Sequence, residues 1–260
     1  MVAPSLTILG SGVKSISHIT VETSAYLSDS ECVFYLVNEP ILEQWVQQQN
    51  QNAISLDFLY DCHANRISNY RAIGQHVAQH LDNQKVCLLL YGHPTVFCDI
   101  AIEADKAAQA LGHSTLILPG ISAEDCLFAD LKIDPSSCGC LSYEATDLLV
   151  YKRQLNVSSH LVLWQVGMIG ALGNFETHDN QRGQALLCEY LLSSYDADHA
   201  IICYEASQYP HFQPVIKHFS LSQLPEEQLS PISTLYIAPC EKAKACGDTL
   251  NALGIKALPA

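Results

Sequence analysis

Apolar residues along this chain gather in short continuous runs, separated by stretches where they recur every three or four positions. The runs "SLTILGSG" (5–12), "ECVFYLV" (31–37), "VCLLLYG" (86–92) and "STLILPG" (114–120) have the pattern of strands buried on both faces. Helical spacing marks "PILEQWVQQQN", "YRAIGQHVAQHL" and "DIAIEADKAAQALG", the last closing on Gly112. Strand and helix alternate, which predicts an α/β lobe with a mostly parallel sheet over residues 1–119.

Beyond Pro119-Gly120 the pattern shifts. "ISAEDCLFADL" predicts a helix with Ser122 as N-cap and Asp125 three residues on, close to a capping box. The strands "HLVLWQVG" (160–167), "HAIICYEA" (199–206), "PVIKHFSL" (214–221) and "STLYIAP" (233–239) follow, with the amphipathic "GQALLCEYLLSSY" between the first two. A second α/β lobe over 120–239 and a tail over 240–260 complete the expected organisation.

Composition sets limits on what the chain does. Of 260 residues, 48% are hydrophobic and 15% charged, so a sizeable core forms. A formal net charge of −14 argues against nucleic acid as the partner, because phosphate contacts need clustered Lys and Arg. No apolar run approaches the roughly 20 residues of a membrane helix. The N-terminus lacks a basic segment ahead of an apolar one, so no signal peptide is expected and the cytoplasm is the expected location. The 11 cysteines are scattered. Cys138 and Cys140 are one residue apart and have no second pair at a distance, so no metal site is expected.

Three turns carry candidate chemistry. "LGSGVKS" is G-x-G only, with Ser15 in place of the third glycine, which makes a dinucleotide site the weaker reading against a tight strand–helix turn. "YGHPTVF" (91–97) and "LPGISAED" each follow a buried strand, where open α/β sheets place ligands. The stretch "DFLYDCHANRISNY" (57–70) ends a strand-like run on Tyr60, crosses a polar segment with His63 and Asn65, and reaches Arg66 and Tyr70. Four residues apart, Arg66 and Tyr70 share a face if the segment is helical. The simplest reading of that stretch is amphipathic residues at the rim of a core.

"ILGSG", "LYGHPTVF", "LPGISAEDCLFADL", "SYEATDLLV", "LWQVG" and "PISTLYIAP", in this order, resemble the tetrapyrrole methylase superfamily. More closely they resemble its peptide-modifying branch, the borosin α-N-methyltransferases. The resemblance implies two α/β lobes with S-adenosylmethionine (SAM) in the cleft between them, S-adenosylhomocysteine as product, and methyl transfer to backbone amide nitrogens. It carries the catalytic cluster onto Tyr60, Arg66, Tyr70 and Tyr91, and the cofactor contacts onto Tyr91, His93, Val96, Ala123, Gln165, Ala206, Ser233 and Thr234. Since the segment after "STLYIAP" holds no long aliphatic stretch, it resembles the bacterial split type. That implies a separate precursor peptide and a homodimer that forms a heterotetramer with two precursors. A porphyrinoid-type small-molecule methylase and a catalytically silent binding scaffold are the alternatives.

A peptide nitrogen is a poor nucleophile because its lone pair is delocalised into the carbonyl. Methylating it demands a base near the nitrogen and donors near the oxygen. A phenol titrates near 10, and a neighbouring guanidinium favours its phenolate. Tyr60 is therefore the expected base, Arg66 its electrostatic partner, and Tyr70 and Tyr91 the donors.

Overall fold

The computed structural model describes residues 5–60, 65–82, 84–171 and 178–256. By internal contacts the chain divides into two units. One comprises Met1–Ile133, Met168–Asn180 and Tyr204–Ile216; the other comprises Asp134–Gly167, Gln181–Cys203 and Lys217–Ala260.

The first unit is built on strands β1 (Leu6–Gly10), β2 (Cys32–Leu36), β3 (Ala53–Ser55), β4 (Val86–Leu90) and β5 (Thr115–Ile117). Their order is β3-β2-β4-β1-β5, and every pairing is parallel. Side chains alternate across the sheet, so each run fills two cores at once. Leu6, Ile8, Phe34, Leu36, Leu88 and Leu90 face one way, against Ile73 and Val77 of α4 (Arg66–Ala78) and Ile100, Ala101, Ala104 and Ala108 of α5 (Asp99–Ala110). Leu9, Val33, Tyr35, Cys87 and Leu89 face the other way, against Leu27 of α1 (Val21–Asp29) and Leu42 and Val46 of α2 (Pro40–Gln49). The two cores explain the continuous apolar runs. Removing the wholly buried Phe34 side chain would cost about 3–5 kcal/mol.

Two further helices of this unit bear on the site. Residues Asp57–Tyr60 form a short helix, α3, and not the end of a strand as expected. The strand-like run stops at Ser55, where β3 lies at the edge of the sheet. Asp57 and Ser55 then pair their side chains and turn the chain. Helix α6 (Ala123–Leu131) opens on a full reciprocal box: Ser122 Oγ accepts from the Asp125 N–H, and Asp125 accepts from the Ser122 N–H. This helix counts with the first unit, so the expected boundary at 119/120 is not where the units part.

The second unit carries strands β6 (Cys140–Glu144), β7 (His160–Trp164), β8 (Ala200–Glu205), β9 (Val215–Ser220) and β10 (Thr234–Ile237). The order is β6-β7-β10-β8-β9, with β6 parallel and β10 antiparallel to β7. By contacts, the end of β8 from Tyr204 and the start of β9 count with the first unit. Helix α7 is Ala145–Tyr151, α8 is Gln181–Leu191 and α9 is Gly247–Ala252. Among the buried polar groups here, His160 Nδ1 lies 2.7 Å from the Tyr236 hydroxyl, and Gln184 donates to the carbonyls of Leu224 and Glu227. Among the described residues no helix is long and apolar enough to cross a membrane.

Candidate active site

At the C-terminal edge of the parallel sheet three turns converge. A Cβ on Gly10 would lie 2.5 Å from the Gly92 carbonyl oxygen and 2.8 Å from Gly120 Cα. The glycines of "LGSG", "YGHP" and "LPG" are thus explained by mutual approach of backbone. Gly12 and Gly92 exchange N–H···O bonds of 3.1 Å. At Gly92 a Cβ would meet nothing within 4 Å, so the turn after β4 has an open side.

The β1 turn has no donors left for a phosphate. Its Ser11 N–H goes to the Leu90 carbonyl and its Gly12 N–H to Gly92. The Val13 and Lys14 N–H groups both reach His18 Nδ1 at 3.1 Å. Burial, with Lys14 beside it, lowers the His18 pKa and keeps the imidazole a neutral acceptor. The turn is structural, as its missing third glycine suggests. His18 has no signature in the sequence, because a histidine accepting two backbone N–H groups looks like any other.

The tyrosine cluster lies in the first unit. Tyr60 ends α3, and Tyr70 lies one turn beyond Arg66 on α4. The two rings are 6.2 Å apart, and both pack against the core face that holds α4 and α5. Asn65 caps α4 by accepting from the Ile67 N–H. Residues 61–64, His63 among them, lie outside the described residues. Tyr70 is raised well above the ordinary phenol value by burial and then by Tyr60, to which it donates a hydrogen bond; the Arg66 guanidinium pulls the other way. Arg66 also reaches the Ala171 carbonyl at 3.4 Å.

Cys98, which the sequence does not point to, joins this cluster. It packs beside Tyr60 and Tyr70 on the same core and sits as the N-cap of α5, with backbone N–H groups of Ile100 and Ala101 turned to its sulfur. Burial nonetheless pushes its thiol up, so it stays protonated. The order of residues could have placed it, since Cys98 directly follows "YGHPTVF".

Tyr91 is apart from that pair. It follows β4, and its N–H bonds the Leu36 carbonyl at the end of β2. Burial pushes its phenol up to about 12, against a hydrogen bond from the Asn38 side chain. Tyr204 lies at the end of β8 and donates to Asp130 of α6 at 2.7 Å. Tyr204 is raised by burial, by that carboxylate, and in smaller part by Cys126 and Tyr91. Asn38, Asp130 and Tyr204 are neighbours of Tyr91 that sequence alone does not reveal.

Of the expected cofactor residues in the first unit, Tyr91, His93, Val96, Ala123 and Ala206 are all half-buried, as a surface that takes a ligand needs to be. His93 Nδ1 accepts from the Thr95 N–H at 3.1 Å, which tightens the "GHPT" turn. In the second unit Ser233 and Thr234 are buried at the start of β10. Gln165 follows β7 in the left-handed region at φ 55°, a conformation that costs a non-glycine residue about 1–2 kcal/mol. Among the described residues no group of three or more His, Cys, Asp or Glu gathers as metal ligands.

These features define an α/β protein of two units, one of which carries converging glycine turns at its strand ends and a pair of tyrosines against its core. Residues 5–218 match the family described as Tetrapyrrole (Corrin/Porphyrin) Methylases, and the chain belongs to it. In solved structures the chain is similar to diphthine synthase (TM-score 0.61, 15% identity, 90% of this chain and 89% of that one). It is similar also to uroporphyrin-III-C-methyltransferase from Thermus thermophilus (TM-score 0.62, 17% identity, 90% and 91%). At those identities the likeness is one of fold. Among curated relatives, a "methyltransferase/ribosomally synthesized cyclic peptide gymnopeptides precursor" of Gymnopus fusipes is 39% identical over 98% of this chain and 62% of its own length. The corresponding omphalotin A precursor of Omphalotus olearius is 37% identical, over 99% and 63%. A type I borosin cyclic peptide precursor of Coprinopsis marcescibilis is 38% identical, over 96% and 65%. The chain spans about six tenths of the length of these relatives. Each relative is named as methyltransferase and precursor in one protein, so the expected split, bacterial type finds no support among them.

Proposed function

We propose that this chain is a SAM-dependent methyltransferase acting on backbone amide nitrogens of a ribosomally made peptide. The observation that carries the reading is the pair Tyr60–Tyr70 with Arg66 beside it, in a family of methylases whose curated relatives are named as methyltransferases with cyclic peptide precursors. An electron-rich carbon nucleophile needs no such base; an amide nitrogen does.

The cofactor fits the turns available. The open side of Gly92, the small walls Val96 and Ala123, and the half-buried Tyr91, His93 and Ala206 suit a flat, partly polar ligand. When bound, SAM supplies the methyl electrophile and leaves as S-adenosylhomocysteine. Tyr60 is assigned as the base that takes the amide proton, with Arg66 as the electrostatic partner of the pair. Tyr70 and Tyr91 hold their protons because burial raises both; Tyr70 gives its hydrogen bond to the Tyr60 oxygen, and Tyr91 is assigned as the donor to the carbonyl oxygen as charge gathers there.

The assembly is proposed as a homodimer engaging two precursor chains. Because the relatives carry the precursor on the same chain, the test offers it in trans. The purified chain is incubated with SAM and a peptide bearing an aliphatic segment, and methyl-sized mass increments are located by fragmentation. Increments on backbone nitrogens are expected. Methylation of a porphyrinoid and of no peptide would replace this reading with the small-molecule one. Light scattering that shows a monomer with peptide bound would remove the dimer.

A further inference from the structure

We propose that His76 and His80 form a binding site for a divalent transition-metal ion at the C-terminal end of α4. The two residues are one helical turn apart, His76 in the last turn of α4 and His80 in the turn that follows. Their ring centroids are 4.9 Å apart with planes inclined at 54°. A zinc–imidazole bond of about 2.0–2.1 Å places each ring centre about 3.2 Å from the ion, so two ligands at about 90–110° put the ring centres about 4.5–5.2 Å apart. The observed separation falls within that range without movement of the backbone.

The surroundings fix the rings in ligand-ready states. His80 Nδ1 is 2.8 Å from the His76 carbonyl oxygen and donates to it, which leaves Nε2 with the free lone pair. Among the described residues no side chain hydrogen-bonds the His76 ring. Phe34 meets both rings edge-on at 5.5 and 5.0 Å, and Phe58 meets His76 at 5.7 Å. These apolar walls limit ring rotation, while both histidines keep one side exposed to water. Two imidazoles with water in the other positions suit copper(II), nickel(II) and zinc(II), with copper held most tightly. Such an ion would staple two turns of the helix that begins with Arg66 and Tyr70. The inference is independent of the methyl-transfer reading.

The test uses the full chain in a Cys240→Ser, Cys246→Ser background, which removes two exposed thiols that would compete for metal. Calorimetric titration with zinc chloride should give one ion per chain. His76→Gln and His80→Gln should each weaken binding at least tenfold, while His218→Gln, at an exposed histidine elsewhere, should leave it unchanged. Circular dichroism in chelator checks that the variants fold. The electron paramagnetic resonance spectrum of copper(II) on the parent should show hyperfine coupling to two imidazole nitrogens, and this decides the matter if a variant does not fold. Equal affinity in the parent and both variants, or a copper spectrum with fewer than two imidazole nitrogens, would overturn the site.

Discussion

Two sets of phenols occupy the first unit, and their neighbours set them apart. Tyr60 and Tyr70 lie against α4 with a guanidinium at hand. Tyr91 and Tyr204 lie at strand ends, the first beside a neutral amide and the second bonded to a carboxylate. Burial raises Tyr70, Tyr91 and Tyr204 alike, but only around Tyr70 does a positive charge oppose it. Burial alone makes a donor; burial with a cation makes a place where a phenolate forms. The division of roles between the Tyr60–Tyr70 pair and Tyr91 rests on that contrast.

The largest expected effect breaks the contrast outright. Tyr60→Phe should lower single-turnover methylation by about 10²–10⁴, the usual worth of a general base. Calorimetric SAM affinity should stay within twofold, because the phenyl ring still packs. Tyr91→Phe should cost less in rate and more in cofactor affinity. If the two variants lose rate equally and keep SAM equally, the phenol sets are not distinct.

Next comes the charge. Arg66→Ala should slow the reaction and move the rising limb of the pH–rate profile to higher pH, because removing a cation disfavours the phenolate. Arg66→Lys should restore the limb only in part, since a point charge does not reproduce the planar fork. An unmoved limb in Arg66→Ala would take the guanidinium out of the chemistry.

A third effect appears in stability. A phenol whose folded pKa lies above its unfolded value near 10 stabilises the fold fully below pH 10 and loses that contribution as pH rises through the folded value. Tyr91, at about 12, therefore predicts a melting temperature that falls between pH 10 and 12. Tyr204→Phe, which deletes the bond to Asp130, should cost about 1–2 kcal/mol at neutral pH and soften the alkaline loss.

How much of this was legible beforehand follows from what each feature depends on. The parallel sheet and its helices were readable, because β1, β2 and β4 are buried on both faces and the helices keep their spacing. The glycine turns were readable as turns, though not as three backbones in contact, which needs the strand order. Helix α3 was missed because four residues are too few to show a period, and β6 because its polar "CLSYE" has no continuous apolar run. The unit boundary was misplaced because alternation of elements does not say which sheet a helix such as α6 packs on. In the cluster, resemblance placed Tyr60, Arg66, Tyr70 and Tyr91. It offered nothing on Asn38, Cys98, Asp130 or Tyr204, which come near the tyrosines from separate elements of the fold.

The smallest expected effect sharpens the contrast most. Asn38 follows β2, one strand away from β4, and its side chain donates to the Tyr91 oxygen. With that lone pair occupied, the Tyr91 hydrogen is free to point at an acceptor. Asn38→Ala should release this orientation and slow methylation by about tenfold or less, within about 1.4 kcal/mol of barrier. Asn38→Asp should be worse than Ala, although Asp is nearer in shape, because a carboxylate would accept the Tyr91 proton and spend the donor. The check is the order of single-turnover rates, parent above Ala above Asp, with SAM affinity measured alongside. Equal rates for Ala and Asp would mean that Asn38 merely fills space. The reverse order would mean that Tyr91 works by accepting a proton, and the contrast between the two sets of phenols would then have to be drawn the other way round.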